Sequence, residues 1–174
     1  MWPSAQYVDL TDGLIQDCTT NLTVAAWVNL ETNNNMASVF TVAPDGSALI
    51  HFGTAYKKDA DLTLQMNWNT SSWATARAPQ VWQLGQWYHV AGVRAGTGTT
   101  AQVYVNGMPL TLVVNDYWAN ANRSYADWGV TPMNYFGRSR DELGQPGFDG
   151  TLDEILISCR AYTASEIAQL AYRP

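Results

Sequence analysis

Short runs of β-branched, aromatic and aliphatic residues recur along the chain, separated by polar segments rich in Asn, Gly and Pro. This spacing is typical of the strands of an antiparallel β-sandwich. No segment with helical periodicity lies between the runs, which argues against a fold of alternating strands and helices. The predicted strands are residues 5–10, 22–30, 36–43, 48–53, 62–68, 87–94, 101–106, 110–114 and 151–158.

Two local signals refine this pattern. Asn106-Gly107 lies between apolar runs and predicts a tight hairpin, because both residues accept a positive φ. Thr163 and Glu166 have the spacing of a capping box, and an apolar stripe follows them. The sequence therefore predicts one short C-terminal helix, which must pack on the sandwich because about two or three turns are unstable alone.

Composition favours an extracellular or virion-surface protein. Only 14% of the residues are charged, against about 25% in an ordinary soluble domain, and 174 residues fit one domain over 1–174. The net charge is −6 and the basic residues are scattered, so nucleic acid and anionic membranes are poor partners. No apolar run suits membrane insertion. The N-terminus lacks a signal-peptide pattern, so we expect either a mature domain of a longer precursor or a protein that needs no signal.

Seven segments spread over nearly the whole chain carry a family resemblance. They are residues 7–10 (YVDL), 22–28 (LTVAAWV), 85–91 (GQWYHVA), 103–107 (VYVNG), 136–137 (FG), 148–155 (FDGTLDEI) and 160–167 (RAYTASEI). In this order they resemble the laminin G-like domains of the concanavalin A-type jelly rolls. The resemblance implies an all-β fold in which two antiparallel sheets form a jelly-roll sandwich, with the last segment as its short closing helix.

The resemblance also implies non-catalytic binding of glycans or proteins, with calcium in many members but not all. The fold pairs the terminal strands, which would bring Cys18 close to Cys159. A disulfide there would stabilise the fold by about 4 kcal/mol through the entropy of the unfolded chain. The alternative is two buried thiols.

Catalysis is not expected from the carboxylates of this chain. An enzyme of this fold would be a glycoside hydrolase, which needs two carboxylates facing the bond that it cleaves. The Glu-x-Asp-x-x-Glu signature of the related glucanases is absent, and the glutamates stand singly. The sequence therefore predicts a protein that is not an enzyme.

A structural calcium ion is one reading of the carboxylate in the last predicted strand. Alternation along residues 151–158 places Asp153 on the same face as two isoleucines, at the edge of the predicted core. A carboxylate there needs compensation. Calcium would supply it, and hydrogen bonds from backbone amides of a neighbouring turn are the alternative. The candidate ligands are Asp153, backbone carbonyls and another acid such as Asp9, Asp12 or Asp149.

The histidines and two of the tryptophans lie inside predicted strands. We interpret Trp27, Trp87, His51 and His89 as core residues, with the imidazoles held neutral by hydrogen bonds. Two histidines without a neighbouring cluster of Cys or Asp make a zinc site improbable.

Aromatic residues are concentrated around the polar run 67–73 and in a long interval that has no predicted strand. The chain has 8 tryptophans and 9 tyrosines, more than a small core needs. Such side chains stack on sugar rings, anchor protein interfaces, or fill a sandwich beneath long loops, and these three interpretations remain open. The candidate ligand-binding residues are Trp68, Asn69 and Trp73 in the first segment, and Tyr117, Trp118, Tyr125 and Trp128 in the interval from 115 to 134.

Two hypotheses for function follow from these observations. The first is a binding or adhesion module that recognises glycan or protein at a cell or virion surface. The second is a structural decoration, or cement, protein of a phage capsid or tail, whose aromatic loops would dock neighbouring virion subunits. The missing signal favours the second hypothesis, and the habits of the family favour the first.

Overall fold

Two antiparallel β-sheets pack face to face in a computed structural model of the chain. The structure describes residues 7–32, 37–43, 49–55, 58–69, 72–80, 82–96, 100–116, 125, 133–138 and 147–172. The strands are β1 (Val8–Asp9), β2 (Leu22–Leu30), β3 (Ser38–Ala43), β4 (Leu49–Ala55), β5 (Lys58–Asn69), β6 (Ser72–Ala78), β7 (Trp87–Ala95), β8 (Thr100–Val105), β9 (Met108–Pro109), β10 (Val114–Asp116), β11 (Met133–Phe136) and β12 (Gly150–Ser158). One helix, α1 (Ala164–Leu170), follows them.

The strand order confirms the predicted jelly-roll sandwich. The larger sheet has seven strands in the order β1-β11-β3-β4-β5-β6-β10. The smaller sheet has five strands in the order β12-β2-β7-β8-β9. Strand β12 pairs with β2 and β1 pairs with β11, so the last strand joins the smaller sheet and the first strand joins the larger one.

The inner faces of the two sheets form one apolar core. Its buried residues include Phe40, Val42, Ile50, Phe52, Leu62 and Leu64 from the seven-stranded sheet, and Leu22, Val24, Ala26, Val28, Val90 and Val103 from the five-stranded sheet. Gly92 in β7 marks a close approach, because a Cβ there would lie 3.0 Å from the Phe52 ring and 3.3 Å from Leu64. A Cβ at position 92 would therefore require Phe52 or Leu64 to shift by a few tenths of an ångström.

The predicted strands agree best with the observed strands where the apolar pattern is strongest. The prediction for residues 22–30 matches β2, while β6 and β11 were missed. The prediction for residues 110–114 is wrong, because the chain there leaves β9 in the five-stranded sheet and enters β10 in the seven-stranded sheet. A segment that crosses between sheets cannot pair along its length with either one.

Helix α1 covers part of the outer face of the five-stranded sheet. Thr163 Oγ1 accepts a hydrogen bond from the Glu166 N–H, and Glu166 accepts one from the Thr163 N–H at 2.8 Å, which confirms the capping box. That backbone donor, with Arg160 nearby, lowers the pKa of Glu166. The helix buries Ile167 in a second apolar cluster with Ala25, Ala91, Val93 and Tyr104. Within the described residues, no helix has the length and apolar character needed to cross a membrane.

The predicted hairpin at Asn106-Gly107 is confirmed and packs against this helix. Asn106 has a φ of 50° and Gly107 a φ of 79°, which are the left-handed values that such a turn requires. A Cβ on Gly107 would lie 2.9 Å from the Cα of Ala168. Both the turn and the helix contact therefore select glycine at this position.

A β-bulge in β12 places Asp153 differently from the prediction. The register with β2 shifts after Asp153, and Glu154 has a φ of 49°. Leu152, and not Asp153, therefore shares the core side with Ile155 and Ile157. Asp153 is exposed and accepts a hydrogen bond from the Glu154 N–H at 2.8 Å. The predicted position of Asp153 at the edge of the core is wrong, because the extra residue breaks the alternation.

A disulfide joins Cys18 to Cys159, 141 residues apart. Cys18 is fully buried in the core. Next to the bridge, Thr23 Oγ1 donates a hydrogen bond to the Arg160 carbonyl at 2.7 Å and accepts one from the Tyr162 N–H at 3.0 Å. These contacts tie the segment that leads into α1 to β2 and to the N-terminal region.

Replacing both cysteines with serine should lower the free energy of unfolding. The bridge closes a loop of 141 residues, and closure of a loop of this size is worth about 5 kcal/mol in the chain-entropy account. Urea unfolding at neutral pH measures the loss. Wild type unfolded in a thiol reductant is the matched control and should agree with the double variant. An unchanged free energy of unfolding in the double variant would contradict this role for the bridge.

Candidate functional site

The outer face of the seven-stranded sheet carries a continuous polar row. Strand register places side by side Asp9, Tyr135, Thr41, His51, Gln65 and Thr75, on β1, β11, β3, β4, β5 and β6. In backbone register the row continues to Asp116 on β10. Neighbouring residues on β3, β4 and β5 pack into the core, so alternation turns the row away from it. The polar row therefore crosses every strand of this sheet.

The centre of the polar row is buried and internally hydrogen-bonded. His51 Nε2 donates to the Thr54 carbonyl at 2.9 Å, because a carbonyl can only accept. Nδ1 must then accept, and the Ser38 hydroxyl lies 3.2 Å from it and 2.5 Å from the Thr41 hydroxyl. Burial lowers the pKa of His51 to about 4, although the bond to Thr54 opposes the shift. His51 is thus buried and neutral, as predicted, but it lies on the outer face of the sheet and not in the core.

The burial of His51 should make the fold less stable in mild acid. Its pKa in the folded protein, about 4, lies below the ordinary histidine value of 6.5, so protons bind the unfolded chain preferentially as the pH falls through 6.5 toward 4. Between pH 7 and pH 5 this linkage removes about 2 kcal/mol of stability. In His51→Gln, the free energy of unfolding should depend less on pH by that amount. Urea unfolding of both proteins at the two pH values measures the difference, and parallel pH profiles would contradict the account.

One flank of the polar row presents a paired cation. Arg77 Nε on β6 lies 3.0 Å from a carboxylate oxygen of Asp61 on β5, and both side chains are partly exposed. Gln65 and Thr75 continue the row beside them and are half-buried. An ion pair this accessible to water adds little stability. This flank therefore offers amide and hydroxyl groups to a ligand, whereas the charge of Arg77 is already neutralised by Asp61.

The other flank carries a tyrosine–arginine cluster, formed by Tyr7, Tyr135 and Arg138. The two tyrosine rings meet edge to face, with centroids 5.3 Å apart. The guanidinium carbon of Arg138 lies 4.7 Å from the Tyr7 ring centroid and 5.1 Å from that of Tyr135. Tyr7 is 46% exposed, and the exposed Asp9 is in register with Tyr135. The open edge of the sheet therefore combines an accessible aromatic surface, a cation and a carboxylate.

The sequence analysis did not single out this cluster. Tyr135 belongs to β11 and Arg138 follows it, in a region where no strand was predicted. The available signal was the pair Phe136-Gly137, which already belonged to the family resemblance. A strand ending at that pair would have placed Tyr135 on a sheet face.

The predicted ligand-binding residues are only partly within the described structure. The segment from 67 to 73 was predicted to be a loop, but β5 and β6 form a hairpin there, with Asn67 in register with Trp73. The backbones of Trp68, Asn69 and Trp73 belong to these strands. Their side chains, and the residues Tyr117, Trp118 and Trp128, lie outside the described part, so their role in binding stays a prediction.

Tyr125, in contrast, is a core residue, and its predicted role at the surface is wrong. Its side chain is fully buried in the main apolar cluster, and its N–H donates to the Thr19 carbonyl at 2.8 Å. The guanidinium carbon of Arg94 lies 4.8 Å from the ring centroid. Burial raises the pKa of Tyr125 to about 12, although Arg94 opposes the shift. The ring fills the sandwich and is inaccessible to a ligand.

Three of the candidate calcium ligands, Asp9, Asp149 and Asp153, are not grouped together in the described structure. Asp9 lies on an edge strand of the seven-stranded sheet, and Asp153 lies on an edge strand of the other sheet. Asp149 accepts a hydrogen bond from the Thr32 hydroxyl at 2.9 Å. Within the described ranges, no three His, Cys, Asp or Glu side chains are grouped to hold a metal ion. A structural calcium ion therefore stays a prediction, and these three carboxylates do not fit it as a set.

The predicted core positions on the five-stranded sheet hold with one exception. Trp27 and His89 are buried and in register, with ring centroids 5.6 Å apart. Trp87 is 39% exposed. Its assignment to the core is wrong, because it is the first residue of β7 and lies outside the cluster that α1 covers.

Comparison with known families identifies the family to which this chain belongs. The Laminin_G_3 model, described as the Concanavalin A-like lectin/glucanases superfamily, matches residues 3–168. The chain belongs to this laminin G-like family. A comparison of the laminin G-like chain with curated proteins finds no match.

Solved structures share the fold of this laminin G-like domain. Domain 4 of AbnA, a GH43 extracellular arabinanase from Geobacillus stearothermophilus in complex with arabinotriose, is 24% identical with a TM-score of 0.67, over 95% of this chain and 72% of that one. The CBM40 of the Ruminococcus gnavus IT-sialidase, bound to α2,3-sialyllactose, is 9% identical with a TM-score of 0.70, over 96% and 97%. A heptameric SAP-like pentraxin from Limulus polyphemus is 22% identical with a TM-score of 0.63, over 88% and 70%.

Proposed function

We propose that this laminin G-like domain is a non-catalytic glycan-binding module, and that the tyrosine–arginine cluster is part of its binding surface. The observation that carries the proposal is the exposed Tyr7 ring, held against Tyr135 and Arg138 at the open end of the polar row. Cluster and row form one continuous face, because Tyr135 belongs to both.

The chemistry of this surface suits an oligosaccharide. The C–H face of a sugar ring stacks on an aromatic ring, while polar groups beside the ring bind its hydroxyls. Tyr7 offers such a ring, and Asp9 and Arg138 supply an acceptor and donors beside it. Because the cluster is held by side-chain contacts before any ligand arrives, little freedom is lost on binding.

The structural relatives support a glycan over a protein as the ligand. The AbnA domain is in complex with arabinotriose, and the CBM40 domain is bound to sialyllactose. In both relatives, the domain that this chain matches is one domain of a larger enzyme. This supports a role in which the domain delivers binding and another unit performs any catalysis.

An extracellular location fits the same proposal. The disulfide between Cys18 and Cys159 is of a kind that persists in oxidising compartments. The arabinanase that contains the AbnA domain is extracellular. The alternative role, a decoration subunit on a phage capsid or tail, stays a prediction that draws no support from these relatives.

A glycan array followed by calorimetry with the best-bound glycan tests the proposal. Wild type should bind at least one glycan class, and Tyr7→Ala should weaken that binding about tenfold, because truncation removes the stacking surface. Trp87→Ala is the matched control, since Trp87 is an aromatic of similar exposure on the other sheet. This control should bind like wild type. A wild type that binds no glycan, or equal losses in the two variants, would overturn the proposal.

A further inference from the structure

Arg138 contacts two aromatic rings, and no carboxylate of the described residues is paired with it. Its guanidinium carbon lies within 5.1 Å of both ring centroids in the cluster. Among the described residues, the ion pairs are those of Arg77 with Asp61 and of Arg160 with Glu166. No described carboxylate therefore neutralises Arg138.

The other arginines with described side chains have different surroundings. Arg77 and Arg160 are ion-paired, and Arg94 is 1% exposed beneath the Tyr125 ring. Arg138 combines partial exposure with two aromatic contacts and no ion pair in the described part of the chain. Within the described ranges, its guanidinium has no carboxylate partner.

We propose that Arg138 gives the tyrosine–arginine cluster a preference for sugars that carry a carboxylate. This inference rests on the proposed glycan-binding function and adds the ligand class. A guanidinium binds a carboxylate through two parallel N–H···O hydrogen bonds, which are stronger than its bonds to neutral hydroxyls. The two rings restrict the guanidinium beforehand, so the sugar ring stacks on Tyr7 while its carboxylate meets Arg138.

The surrounding charges require the preference to come from short-range contacts. The chain has a net charge of −6, which repels an acidic ligand at long range. Asp9, exposed and in register with Tyr135, adds a nearby negative charge. Removing that charge should strengthen the binding of an acidic sugar, whereas removing Arg138 should weaken it. The two substitutions therefore have opposite expected signs at one site.

Calorimetry with two matched ligand pairs tests the inference. The pairs are sialyllactose with lactose, and trigalacturonate with galactotriose of the same linkage. Wild type should bind at least one acidic member about tenfold more tightly than its neutral counterpart. Arg138→Gln should abolish that ratio, Arg138→Lys should reduce it because the bidentate geometry is lost, and Asp9→Asn should increase it.

Arg77→Gln is the matched control, because Arg77 lies on the same sheet face but is paired with Asp61. It should keep the wild-type ratio, and thermal unfolding verifies that each variant is folded. Equal binding of acidic and neutral members, or a ratio that survives Arg138→Gln, would overturn the inference and leave the glycan-binding function standing. Failure to bind any of the four sugars, together with a blank glycan array, would overturn both.

Discussion

The close packing of the two sheets is the constraint on which the rest of this structure depends. Gly92 lies so close to the Phe52 ring that a Cβ at position 92 would be only 3.0 Å from it, tighter than an ordinary contact. Because side chains alternate along a strand, placing Phe40 and Phe52 in the core places Thr41 and His51 on the opposite face. The polar row is thus a geometrical consequence of the core, and a register slip of one residue would destroy both.

The two sheets have different surroundings on their outer faces. The five-stranded sheet is covered in part by α1, which packs on Ala25 and Ala91, and the disulfide anchors the segment that leads into this helix. The seven-stranded sheet presents hydrogen-bonding groups, with a buried support at its centre and accessible flanks. This division fits a family whose members keep one scaffold and vary the exposed residues around it.

The sequence predicted the structure correctly where one physical signal dominated. The apolar pattern predicted β2, and Asn106-Gly107 predicted the turn between β8 and β9. Local preference and tertiary packing agree at both places. Prediction failed at Asp153, since a bulge shifts the alternation in a way that no periodicity reveals. It also failed at Tyr125, because composition does not distinguish an aromatic residue in a binding loop from one that closes the core. The tyrosine–arginine cluster depends on β11, a strand too short to give a pattern.

The proposed glycan-binding surface is the outer face of the seven-stranded sheet, at the edge formed by β1 and β11. An NMR titration with the tightest-binding glycan, following the backbone amides of both sheets, tests it most directly. The account predicts that the largest shift changes lie in β1, β11 and the segment through Arg138, with small changes in β7, β8 and α1. Changes centred on the five-stranded sheet around Trp87 or α1 would contradict it.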